Sequence, residues 1–208
     1  MCDILLPRKG CVHMFKSMSG RQRRNLRLLD DLESRTGQEI YKSDYFNVAL
    51  SQTHHNQTTV AVHTLGVAAT SLRIYYMLNA LGFHLDKESL LKGSLCHDLG
   101  IVGRSEKFEN NRECLKQHPV DSVIAAREIF PDLDERTEDT IRHHMWPCTL
   151  LPPHHREGFV VTVADKYCAA IEGVAGKFYC PGSRFLRAMR QDNTVSGHTD
   201  KTALKTAG

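Results

Sequence analysis

Apolar residues recur at helical spacing along most of this chain, and no segment shows the convincing alternation of a strand. The longest pattern follows Thr58 or Thr59, with apolar positions separated by three, four, three and six residues at Val62, Leu65, Ala69, Leu72 and Leu78. Gly82 suits the end of such a helix. The pattern therefore predicts a long, mostly buried helix that carries His63 in its first turns.

Other helices are predicted by the same spacing and by residues that suit helix ends. Ser19 begins a helix that starts at Arg21 and ends near Gly37. The segment Asp86–Ser89 begins a helix that leads into His97-Asp98, and Gly100 and Gly103 mark the break after it. These features favour an all-α fold.

The second half of the chain is predicted to contain one polar loop followed by three helices. The segments are a polar loop from Arg104 to Gln117, a helix opened by His118-Pro119 and ended by Pro131, a helix from Asp134 to His144 stopped by Trp146-Pro147, and a helix from Glu157 to Glu172 with Asp165 in its middle. The whole reads as a compact bundle of about seven helices.

Composition places the chain among ordinary globular proteins. It has 208 residues, 41% of them hydrophobic and 25% charged. The net charge of +3 is too small to indicate nucleic-acid binding, so none of a specific kind is expected. No apolar stretch approaches the roughly 20 residues that span a membrane, and residues 1–10 hold no sustained apolar run. Oligomeric state stays open.

The seven cysteines are odd in number, scattered, and form no Cys-x-x-Cys pair. They indicate reduced thiols in a cytoplasmic protein rather than a disulfide framework. The predicted organisation is an N-terminal arm and helix over residues 1–48, a main domain over residues 49–180, and a C-terminal helix remnant with a disordered, Thr-rich tail over residues 181–208.

Candidate chemistry centres on His97-Asp98, at the polar end of an apolar stretch. The chain has twelve histidines, and imidazole with carboxylate suits a catalytic divalent metal better than a structural one. Taken alone, His97 fits a core histidine and Asp165 fits a pair with Lys166. Five histidines and two aspartates on successive core helices have no common structural explanation, and together they predict a metal site.

At this point the residues resemble the HD-domain superfamily of metal-dependent phosphohydrolases. The order of His63, His97-Asp98 and Asp165 is the order of the family's motifs, and His97-Asp98-Leu99-Gly100 is close to its HDIG variant. Segments 142–147 and 164–167 resemble a subgroup of small bacterial HD hydrolases. The resemblance covers roughly residues 50 to 175. This chain departs from the family's pattern at Ile101, where the HDIG subgroup often has lysine.

The resemblance implies a metal site in the centre of the bundle, with one or two divalent ions of Mn, Fe, Co, Ni or Zn. His63, His97, Asp98 and Asp165 would bind the first ion. His118 and one or both of His143 and His144 match the extra histidines of subgroups with two metals, in which Asp98 would bridge the ions. His144 is favoured, since it precedes Met-Trp-Pro as in the subgroup.

The implied activity is hydrolysis of a phosphomonoester or phosphodiester, nucleotides included, by metal-activated water. Asp98 and His97 are the predicted catalytic residues, and Lys166, Arg104 and His55 the predicted contacts to a small phosphorylated substrate. Two alternatives stay open: a diiron oxygenase on the same scaffold, and a non-catalytic metal-binding or signalling module. The identity of the substrate is not encoded in any readable motif.

Overall fold

A computed structural model of the protein describes residues 19–54 and 58–175. Two predictions fall outside these residues. One is the substrate contact at His55, and the other is the helix remnant and tail over residues 181–208. The first elements are three short helices and a minimal antiparallel hairpin: α1 (Gly20–Leu32), α2 (Arg35–Tyr41), α3 (Asp44–Ala49), β1 (Thr53–His54) and β2 (Thr58–Thr59).

Longer helices follow. They are α4 (Val60–Ala80), α5 (Lys87–Cys96), a 3₁₀ turn (Leu99–Ile101), α6 (Arg104–Lys107), α7 (Asn111–Ile129), α8 (Glu135–His143) and α9 (Arg156–Ala175). The described residues thus form nine α-helices where the sequence predicts about seven, and the all-α prediction is confirmed. No helix in the described ranges is both long and apolar enough to cross a membrane.

Helix starts follow the side chains that can accept a backbone hydrogen bond. Thr59 accepts from Val62 N and begins α4, and Asp86 accepts from Ser89 N and begins α5. Ser19 forms a capping box with Gln22 at the start of α1. The predicted starts of these helices agree with the structure to within a residue.

The prediction of a single helix from Arg21 to Gly37 is wrong. The chain turns after Leu32, and Ser34 begins a new helix, α2, by accepting a hydrogen bond from Gly37 N. Gly37 therefore lies inside a helix. An added Cβ there would lie 2.0 Å from the carbonyl oxygen of Leu32, so glycine is needed for close packing at this turn rather than for ending a helix.

The predicted loop from Arg104 to Gln117 is also wrong. Residues 104–107 form α6, and α7 begins at Asn111, where the Asn110 side chain accepts from Glu113 N. Pro119 consequently lies inside α7 and does not open it. The first two turns of α7 are mostly exposed, and Cys114 is the one buried residue between positions 111 and 117, so this segment lacks the apolar periodicity by which helices are recognised.

The core that positions the site consists of a larger and a smaller cluster of buried hydrophobic residues. Helix α4 packs against both α5 and α9, α5 packs against α8, and the 3₁₀ turn packs against α7. Leu28, Leu32 and Ile40 of the N-terminal helices share this core with Leu65 and Leu72 of α4. The polar ends of α5 and α8, the first turn of α4 and the middles of α7 and α9 consequently face one interior region.

Candidate metal centre

Six imidazole and carboxylate side chains converge in this interior region, and none is more than 7% exposed. They come from α4, the junction of α5 with the 3₁₀ turn, α7, the end of α8, and α9: His63, His97, Asp98, His118, His144 and Asp165. All six belong to the set predicted from the sequence.

Asp98 lies between two groups of histidines. Its Oδ2 is 3.4 Å from His97 Nε2 and 3.7 Å from His63 Nε2. Its Oδ1 is 3.4 Å from His118 Nε2 and 3.5 Å from His144 Nε2. Each carboxylate oxygen thus faces a different pair of ring nitrogens, which is the arrangement needed for a carboxylate that bridges two cations.

Potential ligand atoms fall into two trios, each with all its atoms within 4.8 Å of one another. One trio comprises His63, His97 and Asp165, and the other comprises Asp98, His118 and His144. With Asp98 shared, the arrangement offers four ligands to a first ion and three to a second.

Main-chain carbonyls set the orientation of three of the histidine rings. The Nδ1 atoms of His97, His118 and His144 lie 2.8, 2.7 and 2.6 Å from the carbonyl oxygens of residues 94, 114 and 141. A carbonyl oxygen only accepts, so each Nδ1 carries a proton and donates it. In the neutral ring the lone pair is then on Nε2, which points towards Asp98.

Glu172 orients the fourth ring, and the sequence analysis missed it. Its Oε2 accepts from His63 Nδ1 at 3.0 Å and from the Thr58 hydroxyl at 3.1 Å, and the side chain is fully buried. His63 Nε2 lies 3.1 Å from Asp165 Oδ1. Glu172 follows Asp165 by seven residues on α9, and this two-turn spacing on one face is the signal that could have found it.

The donor set fits a divalent cation. His97 Nε2 is buried and has no hydrogen-bond partner in the described part of the chain. The Nε2 atoms of His118 and His144 are 3.1 Å apart. Burial opposes protonation of His118, but hydrogen bonds with Asp98 and Cys114 outweigh it and raise its pKa to about 10, so a proton lies between these nitrogens and Asp98 when no cation is bound. A bound cation would take the place of that proton and would give the lone pair of His97 Nε2 a partner.

Charge in the metal-free site is balanced by protons. Burial lowers the pKa of His97 to about 4. Burial also opposes protonation of His63, but hydrogen bonds with Asp165 and Glu172 outweigh it and raise its pKa to about 10. The pKa of Asp165 is held well below its ordinary value although burial raises it, because His63 donates to it and His97 and Lys166 lie close. A metal cation would take over the role of these protons.

A cavity of about 380 Å³ opens onto the centre. Asp98 and Asp165 line it together with the cations Arg104 and Lys166, and its other walls include Ile101, Leu115, Met145, Cys148 and Ala169. The Lys166 ammonium donates to Asp165 Oδ2 at 2.7 Å, and Arg104 donates to Asn111 Oδ1 at 2.6 Å. Both predicted phosphate contacts in the described residues therefore face the same space as the six converged side chains.

The structure does not bring His143 to this centre. Its Nδ1 lies 2.8 Å from Asp139 Oδ1, while its neighbour His144 turns inward. Adjacent helical residues diverge by about 100°, and α8 ends at His143, so only one of the two rings reaches the interior. His144 is the one that the sequence pattern favours.

A family model for the HD domain matches residues 60–170. The chain belongs to the HD domain family. The matched region of this HD domain contains all six converged side chains, and the superfamily is one of metal-dependent phosphohydrolases. No curated protein and no solved structure matched the chain.

Proposed function

We propose that this HD domain hydrolyses a phosphomonoester or phosphodiester with two divalent transition-metal ions bound in its centre. The observation that carries the proposal is the position of Asp98, whose two oxygens face different histidine pairs, beside a cavity that also holds Arg104 and Lys166. Metal ligands and phosphate-binding cations thus share one space.

His63, His97, Asp98 and Asp165 would hold the first ion, and Asp98, His118 and His144 the second. Imidazole with carboxylate favours Mn, Fe, Co, Ni or Zn over Mg, which prefers oxygen ligands. When bound, the ions supply an activated water for attack on phosphorus and polarise the phosphoryl oxygens.

The protein's own side chains bind and orient the substrate. The Lys166 ammonium is held by Asp165 Oδ2 and by the main-chain carbonyl of His144 at 3.4 Å, so its charge is fixed beside two proposed ligands. Arg104 faces the same cavity and suits a phosphate oxygen pair. The apolar wall around Leu115 and Met145 excludes water from one side and contacts the leaving group. Asp98 and His97 act by positioning the reacting centre.

A panel of phosphomonoesters and phosphodiesters, assayed after measurement of metal content and with each candidate metal added in turn, tests the proposal. We expect turnover that depends on metal, and a loss of at least about 100-fold in Asp98→Ala and in the isosteric Asp98→Asn. Asp132→Ala, which removes an exposed aspartate, serves as the control and should retain wild-type turnover. Normal turnover in either metal-loaded Asp98 variant would overturn the assignment.

The same donor set can hold two irons, which is the diiron oxygenase alternative. The same protein preparation is used to distinguish an oxygenase from a hydrolase. Anaerobic loading with Fe²⁺ followed by O₂-uptake assays with candidate substrates should show no substrate-dependent uptake. Uptake without phosphoester hydrolysis would favour the oxygenase. Absence of both reactions in metal-loaded protein would favour a non-catalytic module.

A further inference from the structure

A second cluster of imidazole and carboxylate lies at the C-terminal end of α8, outside the metal centre. Asp139 Oδ1 is 2.8 Å from His143 Nδ1 and 2.8 Å from His154 Nδ1. The three potential ligand atoms all lie within 4.8 Å of one another. His154 belongs to the segment that joins α8 to α9, so the cluster ties this connection to the helix.

The backbone fixes the orientation of the Asp139 carboxylate. Its Oδ2 accepts from His154 N at 2.9 Å and from His155 N at 3.0 Å, which leaves Oδ1 facing the two rings. The Asp139 and His143 side chains are only 6% and 12% exposed, whereas His154 is 74% exposed. Two ligands are thus held in place, and the third borders solvent.

We propose that Asp139, His143 and His154 bind one divalent transition cation of the zinc class. Two imidazoles and one carboxylate with a position open to solvent form a donor set typical of such ions. On binding, the proton of each ring moves from Nδ1 to Nε2, and the freed Nδ1 lone pairs coordinate the cation together with Asp139 Oδ1. The carboxylate contacts to the backbone act as the outer support that orients a ligand.

Elemental analysis after dialysis against micromolar Zn²⁺ tests this site in the full chain. Wild type and His155→Ala should each hold one more zinc per chain than His154→Ala. His155 is the matched control because it is the adjacent imidazole and its side chain is not part of the cluster. Because His154 is mostly exposed, its truncation should leave the fold intact, which circular dichroism checks.

A second variant distinguishes this cluster from any other binding of zinc. His143→Ala should lose the same single ion as His154→Ala, and the double variant should lose no more than either. Equal zinc contents in wild type and His154→Ala would overturn the proposal and leave the cluster as a hydrogen-bonded anchor for the connection. Loss in His154→Ala without loss in His143→Ala would also overturn it.

Discussion

Single atoms of the histidine rings decide what the centre can bind. His97, His118 and His144 each donate through Nδ1 to the main chain, so each offers Nε2 to the interior. His63 is held instead by the side chain of Glu172. At the scale of residues, the site therefore has one anchor that a substitution can remove without disturbing the backbone.

Glu172→Gln should lower metal affinity by about 10- to 100-fold, the effect typical of removing an outer partner of a histidine ligand. The amide is a weaker acceptor for His63 Nδ1 and leaves the ring less basic. Competition with a fluorescent chelator measures the change in dissociation constant. Glu157→Gln is the matched control, since Glu157 is equally buried but accepts from the backbone N–H of Asp86 and from the Arg136 guanidinium instead. An unchanged affinity in Glu172→Gln would contradict this role.

The six residues that the structure brings together could be found from the sequence because each lies in a short motif whose order is informative. Glu172 and Asp139 lie outside these motifs: Glu172 contacts His63 across 109 residues, with its seven-residue spacing from Asp165 as the one local signal, and Asp139 contacts His143 at a spacing of four. The choice between His143 and His144 depends on where α8 ends. Local periodicity does not determine that point to a single residue.

At the scale of elements, the 3₁₀ turn sets the position of Asp98 relative to His118. An added Cβ at Gly100 would lie 2.3 Å from the carbonyl oxygen of His118 and 2.3 Å from Ser122 N. Gly100 N also donates to the Ser122 hydroxyl at 2.9 Å. The close backbone approach needs glycine, and it holds the turn against α7 at the residues that present the second ligand trio.

Gly100→Ala should destabilise the domain by about 1–3 kcal/mol, because both obstructing atoms belong to the backbone and cannot rotate away. It should also weaken metal binding by moving Asp98 from His118. Urea denaturation and metal titration measure the two effects. Gly173→Ala on α9 is the control, with nothing within 4 Å of the added Cβ, and should stabilise by about 0.5–1 kcal/mol. Equal stability of the two variants would exclude the steric role of Gly100.

Asp134→Ala should destabilise the protein by about 1 kcal/mol at neutral pH through loss of the cap of α8. The side chain accepts from Thr137 N at 2.9 Å and from the Ser89 hydroxyl at 3.2 Å. Partial burial raises the pKa of this carboxyl, but hydrogen bonds from the Thr137 hydroxyl, Thr137 N and the Ser89 hydroxyl outweigh burial and lower the pKa below its ordinary value. Its stabilisation is therefore present above the ordinary pKa and is lost as the pH falls through the folded value.

Denaturation of wild type and Asp134→Ala at neutral pH and at about pH 3 measures this loss, and the difference should shrink on acidification. Asp132→Ala provides the control and should stay within about 0.5 kcal/mol of wild type. A difference that grows as the pH falls would contradict the sign of the pKa shift.

At the scale of the whole molecule, the candidate ligands join parts of the chain that are far apart in sequence. His63 of α4 and Asp165 of α9 are 102 residues apart and lie within hydrogen-bond distance. Two cations, one in each trio and with Asp98 shared between them, would connect five helices through the interior. Because such an ion binds the folded state, metal occupancy and global stability are linked.

Chelation should therefore lower the melting temperature of metal-loaded protein. At a free metal concentration of a thousand times the dissociation constant, a single ion stabilises by about 4 kcal/mol. Differential scanning calorimetry before and after dialysis against a chelator measures the loss, and added metal should restore it. Asp98→Asn, tested in parallel, should show a much smaller shift. A melting temperature that is independent of metal in wild type would contradict coordination by the six residues.

Helical periodicity predicts the all-α class and the helices that bury an apolar face, such as α4 and α9. It does not predict the small hairpin of β1 and β2, whose strands have two residues each, or the start of α7. Local hydrophobic periodicity also does not predict which helices pack against each other. Helices α4 and α9, for example, are in contact although they are far apart in the sequence. Family motifs, rather than periodicity, predicted which helices would meet at the centre.

The carbonyl anchors of His97, His118 and His144 have a consequence for sequence divergence. Every amino acid carries the same main-chain carbonyl, so Ser94, Cys114 and Ile141 can each be exchanged without loss of the acceptor that aims the neighbouring ring. Selection on these three positions then concerns the contacts of their side chains, such as the hydrogen bond of the Ser94 hydroxyl to Leu91 O and the position of Cys114 in the cavity wall, rather than the orientation of the rings. Homologous sequences can drift there while ring orientation is inherited, provided that the local helix geometry is kept.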